Sequence, residues 1–261
     1  MTHPLLILDP SHRSARFAGK CALTVMAKAP IPGKVKTRLS PPLTLEQASG
    51  LNACFLQDTI ASLHAATLAA PAEWVICYTP EGAEVAFRDI LPEGALLLPQ
   101  RGDSFGERLL YSAEDLFACG FSAVCLIDSD SPTVPTSEFI AAATILLHPG
   151  ERVVLGPSQD GGYYLIGLQA ATGRLFEDIT WSTASVTRET LERAAEIDLP
   201  VEMLQLWYDV DDDDSLGHIC SELFSPNSHL SPGYPAPHTR KYLTALPNLM
   251  ASIASQVETV D

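Results

Sequence analysis

The sequence predicts an α/β protein with a mostly parallel β-sheet covered by helices on both faces. Three observations predict it. Short β-rich apolar runs alternate with longer stretches of helical period, and such alternation implies crossover connections between parallel strands. The 261 residues, 46% of them hydrophobic and 18% charged, suffice for one sizeable core. There is no internal repeat and no stretch near the ~18 uncharged apolar residues of a membrane span.

Taken in order, the strands are expected at Cys21–Ala27, Glu73–Tyr78, Leu96–Pro99, Ala123–Asp128, Arg152–Gly156, Tyr163–Leu168 and Val201–Leu206. The clearest helix starts near Thr44, with Leu45, Ala48, Leu51, Phe55, Thr59 and Leu63 on one face. Further helices are expected at Gly82–Leu91, Ser104–Cys119, Thr136–Leu147, Ser185–Ile197, Ser215–Phe224 and Lys241–Val257. Ser225–Thr239 holds four prolines and no charge and reads as an irregular linker. The organisation is then an N-terminal extension over 1–20, one domain over 21–224, and a linker with a C-terminal helix over 225–261. Trp181 reads as a core residue.

The net charge of −16 argues against duplex nucleic acid or an anionic membrane as the main partner. The average hides an asymmetry. Pro10 to Leu45 carries seven basic residues and no acid, and subtracting these seven leaves −23 on the remainder. A cationic patch in a negative body suits a small polyanion such as a phosphate ester. The six cysteines are scattered without zinc spacing, so they read as reduced core thiols. The N-terminus lacks the marks of a secretory signal, which predicts a cytoplasmic protein.

Four segments can carry chemistry. In AKAPIPGKVKTRL, Ala27–Leu39, Pro30, Pro32 and Gly33 prevent regular structure just after a strand. Lys28, Lys34, Lys36 and Arg38 then place four cations where a phosphate is expected to sit. The glycine spacing matches neither a Walker loop nor the dinucleotide fingerprint. In AVCLIDSDSPTVP, Ala123–Pro135, a strand runs into Asp128, Ser129 and Asp130. Their carboxylates could share a hard cation such as Mg²⁺ or Mn²⁺, which holds a diphosphate, or simply form a polar turn. In VVLGPSQDGGYYLIGL, Asp160 precedes Gly161 and Gly162, which suits either an acceptor-side turn or a hairpin of Asp-Gly type. In DVDDDD, Asp209–Asp214, no register satisfies a calcium loop. Asp209 and Asp211 are the better metal candidates, while Asp212 to Asp214 suit a helix N-terminus. Arg108, in RGDSFGERL, could face solvent or a base.

Together, AKAPIPGKVKTRL, GDSFGERL, LIDSDSP, LGPSQDGGYYLIGL, WSTASV and YDVDDDDSL resemble a bacterial family of GT-A-type glycosyltransferases, often labelled arsenosugar-biosynthesis glycosyltransferases. The resemblance implies a Rossmann-like nucleotide-diphospho-sugar transferase fold with Mg²⁺ or Mn²⁺. It places Lys28, Lys34, Lys36 and Arg38 on donor phosphates, Asp130 and Asp211 on metal, and Asp160 near the acceptor. The chain departs from the family at Asp128, where the pattern has a small residue, and in residues 1–20, which precede its usual start.

The expected activity is therefore metal-dependent transfer of a sugar from a nucleotide-diphospho-sugar to a small-molecule acceptor, with Asp160 as the base. Nucleotidyl transfer to a phosphorylated acceptor is the alternative, disfavoured by the lack of a second basic cluster. A non-catalytic nucleotide-binding module is the third reading.

Overall fold

The computed structural model describes residues 5–224 and 233–246. Eight strands form one sheet: β1 (Leu6–Ile7), β2 (Cys21–Lys28), β3 (Ala72–Thr79), β4 (Leu96–Pro99), β5 (Ala123–Ile127), β6 (Val153–Pro157), β7 (Tyr163–Leu168) and β8 (Val201–Met203). Their spatial order is β1-β4-β3-β2-β5-β7-β6-β8. All neighbours are parallel except β7, which runs antiparallel to both β5 and β6. The helices are α1 (Leu45–Thr67), α2 (Phe105–Cys119), α3 (Thr136–Leu147), α4 (Val186–Glu196), α5 (Asp213–Phe224) and α6 (Pro237–Thr244).

Both faces of the sheet are covered because the central strands are apolar on both sides. Cys21, Leu23, Val25 and Ala27 of β2 enter the core shared with α1, α3, α5 and α6. Ala22 enters the opposite core, with α2 and α4. Capping boxes start the two helices nearest the site: Thr44 with Gln47 opens α1, and Ser104 with Glu107 opens α2. Gly120, at φ 115°, ends α2.

The chain leaves β2 for β3 on one side and later returns through β5 on the other. Strand order therefore reverses between β2 and β5, and the crevice beyond their carboxyl ends is where such a sheet binds ligands.

Some elements differ from expectation. Gly82–Leu91 holds only a 3₁₀ turn, Glu84–Phe87, because Pro80 precedes it and Gly82 takes φ 82°. The expected linker and final helix change places in part: Pro237 opens α6, a favourable first helical position for proline, and α6 ends at Thr244. Residues 225–232 of the linker and 247–257 of the helix lie outside the described residues. Within residues 5–20, β1 adds to the sheet beside β4, and Phe17 stacks on Phe121 at 4.3 Å. All six cysteines are free, and five are buried. Among the described residues, no helix is long and apolar enough to cross a membrane.

Candidate active site

Three loops meet at the crevice. The loop after β2 turns at Gly33, φ 74°, and again at Lys36, which adopts a left-handed φ of 47°. Val35 and Leu39 are buried and pin the loop, while Lys34 and Arg38 point outward. The left-handed backbone at Lys36 sends that side chain inward instead, leaving it only 4% exposed.

The second loop is the turn after β5. Asp128 accepts from Asp130 N–H at 3.4 Å and from Ser131 Oγ at 2.7 Å, so its two oxygens hold the turn. The third is the acidic segment before α5. Val210 is fully buried and donates its N–H to Asp130 O at 2.9 Å, which draws this segment against the second loop. Asp209 and Asp211, on either side of Val210, both reach the crevice.

Lys36 ties the three loops together. Its ammonium lies 2.8 Å from Asp130 Oδ1 and 2.6 Å from Asp211 Oδ1, and donates to Val210 O at 2.7 Å. An ammonium has three donors, and all three are used. Burial alone would lower the Lys36 pKa, but Asp130 and Asp211 outweigh it and raise it. Burial likewise pushes Asp211 up, and Lys36 with Arg38 reverses this to hold it below the usual aspartate value. Lys36, expected on donor phosphates, therefore spends its three donors on these protein oxygens while also lining the smaller of the two spaces in the crevice.

Among the described residues, neither Asp128 nor Asp209 forms an ion pair. Burial, then repulsion from Asp130, pushes Asp128 well above its ordinary value. Asp209 is raised by burial and by Asp160 and Asp211.

The crevice divides into two spaces. A cavity of about 620 Å³ has Asp128, Asp130, Asp160, Asp209 and Asp211 on one side, with Arg38 among them. Its other side is aromatic: Trp181 packs edge-on to Phe105 at 5.1 Å and to Tyr163 at 6.5 Å. A cleft of about 230 Å³ lies beside this cavity, lined by Lys28, Lys34, Lys36, Asn52 and Ser129, with Arg38, Asp130 and Asp211 shared between the two spaces. Lys28 and Lys34 form no ion pair among the described residues.

Asp160 lies on the turn of the β6–β7 hairpin, exposed, with Oδ1 accepting from Gly162 N–H at 2.8 Å. Gly161 adopts φ 90°, and any Cβ there would run into the Ala184 backbone, so the hairpin abuts the loop that carries Trp181. Thus Lys28, Lys34, Arg38, Asp128, Asp130, Asp160, Gly162 and Asp211 come together. Arg108 does not: it bonds Asp103 O at the start of its own helix and lines neither space.

Sequence reasoning missed Phe105, Tyr163 and Asn52; for Trp181 it favoured core over a ligand platform, and the half-buried ring does both, packing against the core and lining the cavity. A polar residue on the buried face of α1 was the available signal for Asn52, whereas the aromatic wall draws on three distant segments.

A family model described as an uncharacterized protein conserved in bacteria (DUF2064) matches residues 62–183. A crystal structure of a candidate nucleotide-diphospho-sugar transferase from Desulfovibrio desulfuricans G20 matches at 30% identity and a TM-score of 0.76. The match covers 90% of this chain and 98% of that one. The chain belongs to the nucleotide-diphospho-sugar transferase family.

More distant members of this fold include a CMP:2-keto-3-deoxy-manno-octonic acid synthetase complexed with CTP, at TM-score 0.50 and 12% identity over 77% of this chain and 96% of that one. A cytidylyltransferase from Leptospira borgpetersenii matches at TM-score 0.51 and 12% identity, over 88% and 96%. At that identity only the fold is shared. No curated protein matches the chain.

The crevice also bears on metal binding. Among the described residues, no three His, Cys, Asp or Glu side chains are preassembled around an ion. The donor set nevertheless fits a hard divalent cation. All its donors are carboxylate oxygens, and burial followed by repulsion from Asp130 raises the Asp128 pKa by disfavouring a charge that a bound cation would offset. Magnesium in particular is usually held by one or two carboxylates, with substrate phosphates completing its shell.

Proposed function

We propose that this protein transfers a sugar from a nucleotide-diphospho-sugar to a small acceptor that carries no phosphate. The observation that carries the reading is the one-sided placement of cations. Lys28 and Lys34 line only the smaller cleft on the β2 side, Arg38, Asp130 and Asp211 line both spaces, and the larger cavity adds Asp128, Asp160, Asp209 and aromatic rings but no further cation. That is room for one polyanion. An acceptor phosphate entering the acidic cavity would meet repulsion.

In this reading Lys28, Lys34 and Arg38 bind the donor diphosphate. Asp128 and Asp130 are the residues that would hold Mg²⁺ or Mn²⁺, which would supply positive charge to the departing nucleoside diphosphate. Lys36 keeps Asp130 and Asp211 in place. The sugar and acceptor rings lie against Trp181 and Phe105. Asp160, oriented by its bond from Gly162 N–H, takes the hydroxyl proton as the acceptor oxygen bonds to the anomeric carbon and the bond to phosphate breaks.

A second reading, nucleotidyl transfer with loss of pyrophosphate, draws support from the fold shared with the CTP-bound synthetase and the cytidylyltransferase. Product analysis separates the two. The protein is incubated with Mn²⁺ and either nucleotide sugars or nucleoside triphosphates, with thermal unfolding followed in parallel. Glycosyl transfer predicts release of nucleoside diphosphate, and a ligand at a hundred times its Kd adding about 2.7 kcal/mol of stability. Asp130→Ala should abolish the metal-dependent part of that shift. Pyrophosphate release from a triphosphate overturns the proposal in favour of the second reading, and binding without turnover leaves a nucleotide-binding module.

A further inference from the structure

The 230 Å³ cleft contains one residue that the charge argument does not explain. Asn52 sits on α1, one turn before Phe55, whose ring lies 5.6 Å beneath the Lys36 ammonium. It is 6% exposed, lines the cleft, and its side-chain amide has no hydrogen-bond partner among the described residues. Two other polar residues of the helix are paired inside the protein: Ser49 Oγ donates to Pro30 O at 2.8 Å, and the Asp58 carboxylate accepts two backbone N–H groups.

Buried polar side chains are paired in the large majority of cases, because leaving one unpaired forfeits its hydrogen bonds to water. The Asn52 amide has no partner within the protein and opens into a cleft beside two lysines that form no ion pair among the described residues, where a ligand can supply that partner. The cleft is too small for a nucleoside beside its phosphates; its two carboxylates, Asp130 and Asp211, are neutralised by Lys36 and Arg38, and the remaining ammonium, hydroxyl and amide donors match phosphoryl oxygens. An amide also distinguishes what a lysine cannot. It fixes direction in a place where two mobile ammonium groups supply only charge.

We infer that Asn52 is a phosphate-binding residue, its side-chain NH₂ donating to a phosphoryl oxygen of an anion held by Lys28 and Lys34. This rests on the proposed function, in which that anion is the diphosphate of the donor. The same chemistry is presented by free pyrophosphate, which therefore serves as the probe.

The test is calorimetric titration of the full-length protein with inorganic pyrophosphate at low and high salt, for wild type, Asn52→Leu, Asn52→Asp and Lys34→Ala, with thermal unfolding of each. Loss of one hydrogen bond to a charged group corresponds to roughly 10–100-fold weaker binding. Asn52→Leu should show that loss, keep the wild-type dependence of affinity on salt because no charge is removed, and melt at or above the wild-type temperature. Asn52→Asp, nearly isosteric, should bind more weakly still, because it replaces a donor with a negative charge. Lys34→Ala should instead flatten the salt dependence.

If Asn52→Leu and Asn52→Asp both bind pyrophosphate as wild type does while Lys34→Ala does not, the cleft takes phosphate and the assignment of Asn52 is wrong. If Asn52→Leu melts well below wild type and Asn52→Asp binds normally, Asn52 is a packing residue. If wild type binds no pyrophosphate, the phosphate cleft itself is wrong, and the donor-binding part of the proposed function fails with it.

Discussion

Lys36 Nζ lies 2.6 Å from Asp211 Oδ1, joining residues 175 positions apart and closing the loop after β2 onto the segment before α5. With Asp130 on its other side, this ammonium holds two carboxylates together that would otherwise repel.

Removing the ammonium should therefore cost more than one salt bridge usually does. Lys36→Met leaves Asp130 and Asp211 facing each other. Breaking a buried pair costs about 3–5 kcal/mol, and the lower end applies because both carboxylates are about a third exposed. Urea unfolding at pH 7 measures this. The pH dependence has a definite sign. Asp211 is held below its ordinary value, so it contributes stability above that value and loses it as pH falls through the lowered one. In Lys36→Met that acid-side loss should shrink, and Lys36→Met/Asp211→Asn should recover part of the stability. Equal acid sensitivity in the variant and wild type counts against the coupling.

Lys34 differs from Lys36 in having no ion pair among the described residues, so its charge is available to a ligand. Lys34→Ala should leave stability within about 0.5 kcal/mol, as for most surface substitutions. It should weaken nucleotide-sugar binding at low salt, and the difference should fade near 1 M salt, where the screening length is about 3 Å. A salt-independent loss would point to folding rather than to phosphate contact.

Strands β2 to β8 were legible because each is a short apolar run between breakers, and the bounds of β4 and β7 match the sequence reading residue for residue. The acidic run divides as its chemistry suggests. Asp209 and Asp211 face the crevice, while Asp213 and Asp214 occupy the first turn of α5. What could not be read is what pairing across the fold creates. Four basic residues in one loop look equivalent in sequence, yet the left-handed backbone at Lys36 and the distant Asp211 make one of them internal. Strand β1 is two residues long and carries no periodicity at all. The start of α6 looked like linker because its prolines and missing charges are local facts, whereas its stabilising partner, Asp58, lies on α1.

Asp58 is fully buried and accepts the N–H groups of His238 and Thr239, at 3.0 and 2.7 Å, acting as a cap for α6 from another helix. Burial raises its pKa despite those bonds. A carboxyl with a raised folded pKa weakens the fold as pH rises from its ordinary value, about 3.9, through the raised one, because only the unfolded chain ionises freely there. Asp58→Asn should flatten that slope. It should also cost about 1–2 kcal/mol below it, since one amide oxygen cannot accept both N–H groups. Urea unfolding at pH 4 and pH 8 tests both parts, and parallel profiles for wild type and variant would exclude Asp58 as their source.

Gly161 couples the Asp160 turn to the loop bearing Trp181. Its φ of 90° strains any side chain, and a Cβ would overlap the Ala184 backbone. Gly161→Ala should therefore separate the two segments rather than merely strain the turn. Left-handed strain costs about 1–2 kcal/mol, and the overlap adds to it. Because Asp160 stands on one segment and Trp181 on the other, the aromatic side of the cavity should move away from the carboxylate. Acceptor KM should then rise and kcat fall together, while donor binding at the smaller cleft is unchanged. Trp181→Ala is the companion variant. It leaves the Asp160 turn intact, so it should raise acceptor KM with a smaller effect on kcat. Equal kinetic losses in the two variants would mean that Gly161 acts only through the Trp181 loop, and unchanged kinetics in both would remove the aromatic wall from the acceptor site.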